Sequence, residues 1–134
     1  MSPTAASGPS GRYDGVAPAG WPPQVRPPGV PQWERSAVAW LLDLAPAEYR
    51  GYPVLTGHPV ALARVVGHHV AAQRAGAREA VKGARRELAD ALAPQVVEQL
   101  LETLAREEAR LSAAERGVGL VEQALRGRRF APRL

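Results

Sequence analysis

The chain has 134 residues, enough for one small domain. It contains no cysteine, which excludes a disulfide framework, a thiolate zinc site and a cysteine nucleophile, and its three histidines are too few for most all-protein catalytic metal sites. The formal net charge of +4 is unevenly placed: residues 1–58 are neutral, 59–93 carry a net +3, 94–126 a net −2, and 127–134 again +3.

Residues 1–30 read as a disordered tail. Eight of the 13 prolines and five of the 13 glycines lie in the first 31 positions, and Pro22-Pro23 and Pro27-Pro28 favour polyproline II or coil. Tyr13 and Trp21 are the only bulky groups there, and Trp21-Pro22-Pro23 has the form of a short docking peptide. This segment lacks the basic start and apolar core of a secretory signal.

A helical domain is expected over residues 31–126. Pro31 opens the first helix, since a proline at the first helical position gives up no hydrogen bond. Trp33, Ala37, Trp40, Leu41 and Leu44 then fall on one face, and Pro46 ends the run by disfavouring helical geometry at Ala45. Pro46 to Gly51 reads as a single helical turn, and Tyr52 to His58 as an extended connector.

Pro59 opens the second helix. Its stripe of apolar or small residues is Leu62, Val66, Val70, Gln73, Ala77, Val81, Ala84, Leu88 and Leu92, with the 4-4-3 spacing of an eleven-residue pattern. Pro94 interrupts it at Ala93. The third helix carries a heptad, with Val97, Leu104, Leu111, Val118 and Leu125 on one line and Leu100, Glu107, Ala114 and Val121 on the other. Gly127 ends it, and 127–134 form a basic tail with Arg128, Arg129 and Phe130.

The fold expected is all-α: a long antiparallel helical hairpin with the short N-terminal helix packed on it. The rival is one kinked helix from Pro59 to Arg126. Charge favours the hairpin, because Arg74, Arg78, Lys82 and Arg85 form a ridge beside the stripe and Glu108, Glu115 and Glu122 flank the heptad. Reversal near Ala93 sets Arg78 opposite Glu108, Arg85 opposite Glu102 and Arg74 near Glu115.

No motif carries chemistry. His68 and His69 point about 100° apart on a helix and cannot chelate as an i, i+4 pair would, and His58 lies at the cap. No metal or cofactor site is expected. Gly117-Val118-Gly119 sits inside the heptad without the strand that precedes a phosphate loop. The carboxylates neighbour arginines and suit ion pairing rather than acid–base work. The sequence therefore points to a non-catalytic module that binds protein, a second copy of the chain included, with Arg74, Arg78, Lys82, Arg85, Arg128, Arg129, Phe130 and Trp21 as candidate contacts. Nucleic acid, held by the helix-2 ridge and the C-terminal arginines, is the alternative. No segment has the ~20 apolar residues of a membrane span, and a cytoplasmic setting is expected.

The run from Trp33 to Gln73, WERSAVAWLLDLAPAEYRGYPVLTGHPVALARVVGHHVAAQ, resembles small helical proteins of high-GC actinobacteria. The resemblance covers about the folded two-thirds of the chain; it implies a bacterial, cytoplasmic protein and brings no activity with it.

Overall fold

A computed structural model of the chain describes residues 17–128 and residue 130. Among these residues four α-helices appear in chain order: α1 (Trp33–Leu44), α2 (Pro53–Thr56), α3 (Pro59–Glu87) and α4 (Pro94–Leu125), with a 3-10 helix at Ala47–Gly51 between α1 and α2. α3 and α4 form the long antiparallel pair, and α1 packs across one end of it. The rival of one kinked helix is thereby excluded.

Proline sets most of the boundaries. Pro53, Pro59 and Pro94 each stand at the start of a helix, where fixed φ helps and a missing N–H is harmless. Ala45 is extended at φ −99°, ψ 163°, as the residue before Pro46 must be. Beyond α1, two boundaries depart from the sequence reading. The segment Tyr52 to His58 is not extended, because Pro53 starts the one-turn α2, closed by Gly57 N–H donating to the Pro53 carbonyl at 2.8 Å. α3 ends at Glu87 rather than near Leu92, since Ala93 must be extended before Pro94 (ψ 150°) and the reversal consumes Leu88 to Ala93.

The core lies where three helices meet. Leu41 of α1, Leu62, Val66 and Val70 of α3, and Val118 and Val121 of α4 are almost fully buried. Each such side chain contributes about 1.5–3 kcal/mol of transfer free energy, which offsets the marginal stability of a twelve-residue helix alone. The eleven-residue stripe and the heptad drift in opposite senses. The shared core accordingly runs only from Leu62 to Ala77 on α3 and from Leu111 to Leu125 on α4. Beyond it the pair continues as a two-helix arm, closely packed at Ala84 and Val97. Gln73, on the predicted stripe, is exposed at the junction of core and arm, and Glu107 on the heptad is only half-buried.

Residues 17–30 correct the expectation of a disordered tail; residues 1–16, the rest of that expectation, lie outside the described residues. The segment is a chain of β-turns. Trp21, Val25, Val30 and Trp33 donate in turn to the carbonyls of Pro18, Pro22, Pro27 and Val30 at 3.0–3.2 Å. Proline fills the second position of the last three turns, at Pro23, Pro28 and Pro31, where its fixed φ is already correct. Pro31 is thus a turn residue, and α1 begins two positions later than expected. Gln32, third in the last turn, takes a left-handed φ of 70°. The strap is pinned at its middle: Val25 is 3% exposed, the Trp21 indole donates to its carbonyl at 3.0 Å, and Arg26 N–H donates to Ser36 Oγ of α1 at 3.0 Å.

Strap, α1 and α4 converge on Gly117. A Cβ there would lie 3.1 Å from Trp40 Cη2 and 3.4 Å from Pro22 Cδ, whereas one on Gly119 would meet nothing within 4 Å. The two glycines should therefore respond oppositely in thermal or urea unfolding. Gly119→Ala gains helix propensity and should stabilise by up to about 1 kcal/mol. Gly117→Val overpacks the junction and should destabilise by about 1–3 kcal/mol.

Candidate functional site

The basic ridge is occupied from within the hairpin. Arg74 Nη1 donates to Glu115 Oε1 at 2.9 Å, Arg78 Nε donates to Glu108 Oε2, and Lys82 Nζ donates to Glu79 Oε2 within α3 at 3.3 Å. Arg85 donates through Nε and Nη2 to both oxygens of Glu98, at 3.0 and 3.1 Å. The expected partner of Arg85 was Glu102, one turn away. Between Arg74 and Arg85, α3 advances eleven residues while the opposing carboxylates retreat seventeen along α4, from Glu115 to Glu98. Opposed positions slide as the helices cross, and flexible arginine side chains absorb the offset. These pairs lie at the surface, Arg74 and Glu115 being the most covered at 29% and 37% side-chain exposure.

The C-terminal segment also folds back. Gly127, at φ 98°, closes α4 in a Schellman motif, with Arg128 N–H donating to the Gln123 carbonyl at 2.9 Å and Gly127 N–H to that of Ala124 at 3.0 Å. Arg126 Nε donates to Glu122 Oε2 at 2.9 Å, Arg128 Nη1 to Gln123 Oε1 at 3.0 Å. The Arg128 guanidinium stands 5.5 Å from the centre of the Phe130 ring. Phe130 meets Trp21 edge-on at 6.2 Å, and Trp21 lies 6.2 Å from Trp33. Two of the predicted contacts, Trp21 and Phe130, thus pack on each other and join the strap to the segment after α4, instead of projecting as separate docking groups. Arg129 and residues 131–134 lie outside the described residues.

The histidines are apart. His58 Nδ1 is 3.1 Å from the Val54 carbonyl, the His69 ring lies 6.3 Å from that of Tyr49, and His68 is exposed. Among the described residues no three His, Asp or Glu side chains come together in a way that could hold a metal ion, and no helix is long and apolar enough to cross a membrane.

Several clefts open among the described residues, two of them around the end of α1. A cleft of about 400 Å³ opens between the strap, the end of α1 and α4, lined by Trp21, Pro22, Pro23, Trp40 and Leu44 together with Arg110 and Arg116. A second cleft of about 300 Å³ shares Leu44 and Arg110 with the first and reaches Asp43, His69 and Gln73. Together they make a bent groove around the C-terminus of α1. It exists because Pro46 stops α1 short of the arm. Sequence reasoning singled out Trp21 but missed the groove, since its walls come from positions 20–24, 40–44 and 110–116, which no periodicity connects.

Arg110 is fixed there by Glu107, which accepts from Nε at 2.9 Å and Nη2 at 2.6 Å. That bidentate bond holds the Glu107 carboxyl below the ordinary glutamate range and raises the Arg110 guanidinium further, with their mutual attraction adding to the effect and desolvation opposing it. A carboxyl whose folded pKa is depressed adds stability above its unfolded pKa and loses it as pH falls through the folded value. With 41% of the Glu107 side chain exposed, the contribution is small.

Comparison with protein-family models, with curated proteins and with solved structures returns no significant match.

A double-mutant cycle on Arg78 and Glu108 should give a coupling of about 0.2–1 kcal/mol, shrinking in 1 M salt as screening shortens to about 3 Å. A cycle on Arg85 and Glu102 should give none, because Arg85 is bound to Glu98.

Proposed function

We propose that the chain is a non-catalytic, adaptor-like helical module that binds a protein partner in the cytoplasm, and that the groove around the end of α1 is the contact. The observation that carries this is the cleft itself: a depression lined by two tryptophans, two prolines and Leu44 together with Arg110 and Arg116, the mix of aromatic and arginine side chains that recognition surfaces favour. The resemblance of Trp33 to Gln73 to bacterial helical proteins is compatible with this reading.

The nucleic-acid alternative draws less support. Arg74, Arg78, Lys82 and Arg85 each face a carboxylate within 4 Å. A phosphate backbone would have to displace those partners and sit beside them. On a labelled DNA duplex the full chain should show a log–log salt slope well short of the about −3.6 that four phosphate contacts give.

A photo-cross-linking residue at the exposed Ala113, on the cleft wall, tests the proposal directly. In cells of the source organism it should yield a discrete protein adduct that survives nuclease and is missing when the label stands at the exposed Ala72. Equal adducts from both positions, none from either, or adducts lost on nuclease treatment would overturn it.

A further inference from the structure

The cleft beside Trp40 has a charge imbalance that the ridge on the other side of the hairpin lacks. Between Arg106 and Arg116, α4 carries three arginines and three glutamates. All three glutamates are engaged: Glu107 by Arg110, Glu108 by Arg78 and Glu115 by Arg74. The last two turn toward α3, away from the cleft. Arg116 donates only to Ser112 Oγ, at 3.0 Å, and Arg106 only to Thr103 Oγ1, at 3.4 Å, so neither has a carboxylate partner among the described residues. Helical spacing sets Arg106, Arg110 and Ala113 on one line, with Arg116 flanking it. Arg116 is thus a cleft-lining cation with no carboxylate partner among the described residues, and Arg106, one turn before Arg110, is a second unpaired cation on the same helix.

From this we infer that the cleft binds an acidic segment of a partner protein, in extended form, with an aromatic or aliphatic side chain seated against Trp21, Pro22, Trp40 and Leu44. This rests on the reading of the groove as a protein contact and names the chemistry of what enters it. The spacing follows from the extended form: side chains two positions apart share a face, about 6.6 Å apart at about 3.3 Å per residue, so an anchor against the cleft wall and a carboxylate toward Arg116 stand two positions apart. Arg116 is the cation best placed to pair with an incoming carboxylate, since Arg110 already holds Glu107 and its bidentate fork is filled.

Three tryptophans make the test readable, because each contributes one indole N–H signal in a ¹⁵N-correlation spectrum of the full chain. The probe is the peptide acetyl-Ser-Glu-Phe-Leu-Glu-Ser-amide, and its control carries glutamine for both glutamates. The probe should shift the Trp21 and Trp40 signals saturably, with affinity falling as salt rises. The glutamine control should bind about tenfold more weakly, and Arg116→Gln should cost about two- to fivefold, the range of an exposed ion pair, while Arg86→Gln costs nothing. No shift, an equal shift from the control, or indifference to Arg116→Gln would each overturn the inference. If the probe fails while cross-linking from position 113 still captures a discrete protein, the groove is a contact of other chemistry and only this inference falls. If both fail, the proposed function falls with it.

Discussion

The contact of the Trp40 ring with the bare backbone of Gly117 is the point on which the rest of the structure depends. α1 is too short to persist alone, and it is held because the largest side chain of its buried face reaches the α4 backbone where no Cβ intervenes. Pro22 of the strap approaches the same point of Gly117. One missing methyl group therefore seats two elements, the helix and the strap, and both walls of the cleft follow from it.

Electrostatics then separates the two sides of the hairpin. On one side the α3 cations and α4 carboxylates face each other across the seam and cancel. On the other, α1 and the strap cover the seam, and neither brings a carboxylate to Arg106 or Arg116. The single acid at the end of α1, Asp43, accepts from Arg50 at 2.8 Å. A net charge of +4 spread over 134 residues would say little about partners; the asymmetry between the two sides says where an anion is favoured.

Much of this was legible in the residue pattern, and the parts that were not have identifiable causes. The Trp33–Leu44 face, the two long helices, the antiparallel pairing and two of three predicted ion pairs follow from spacing and charge, because burial enforces a period and like charges forbid the other registers. The strap was misread because composition was weighed without position: the same prolines that suggest coil stand one residue into successive turns, at Pro23, Pro28 and Pro31, and Val25 supplies the buried anchor. The end of α3 was illegible for a different reason. Leu88 to Ala93 holds no glycine or proline, so nothing local marks the break; Pro94 acts backwards through Ala93, and the geometry of reversal decides the rest. At Tyr52–His58 the signal was present and unused, since Pro53 obeys the first-position preference applied at Pro59.

The contact between Trp21 and Phe130 changes what the residues after α4 mean. Taken alone, Arg128 and Phe130 look like a free cationic hook with an apolar tip. In the fold, Phe130 closes an aromatic row with Trp21 and Trp33, and Trp21 is also a wall of the cleft. The C-terminal segment therefore bears on the site from behind, by holding one wall in place. The row also explains why a segment as rich in turns as 17–30 keeps one path over the helices. Its indole is bound at the N–H by the Val25 carbonyl and flanked by an aromatic ring on two sides, so moving it would break three contacts at once. A recognition surface built partly from a proline-rich strap gains precision from such fixation, because each residue already ordered in the free protein is one whose entropy need not be lost on binding.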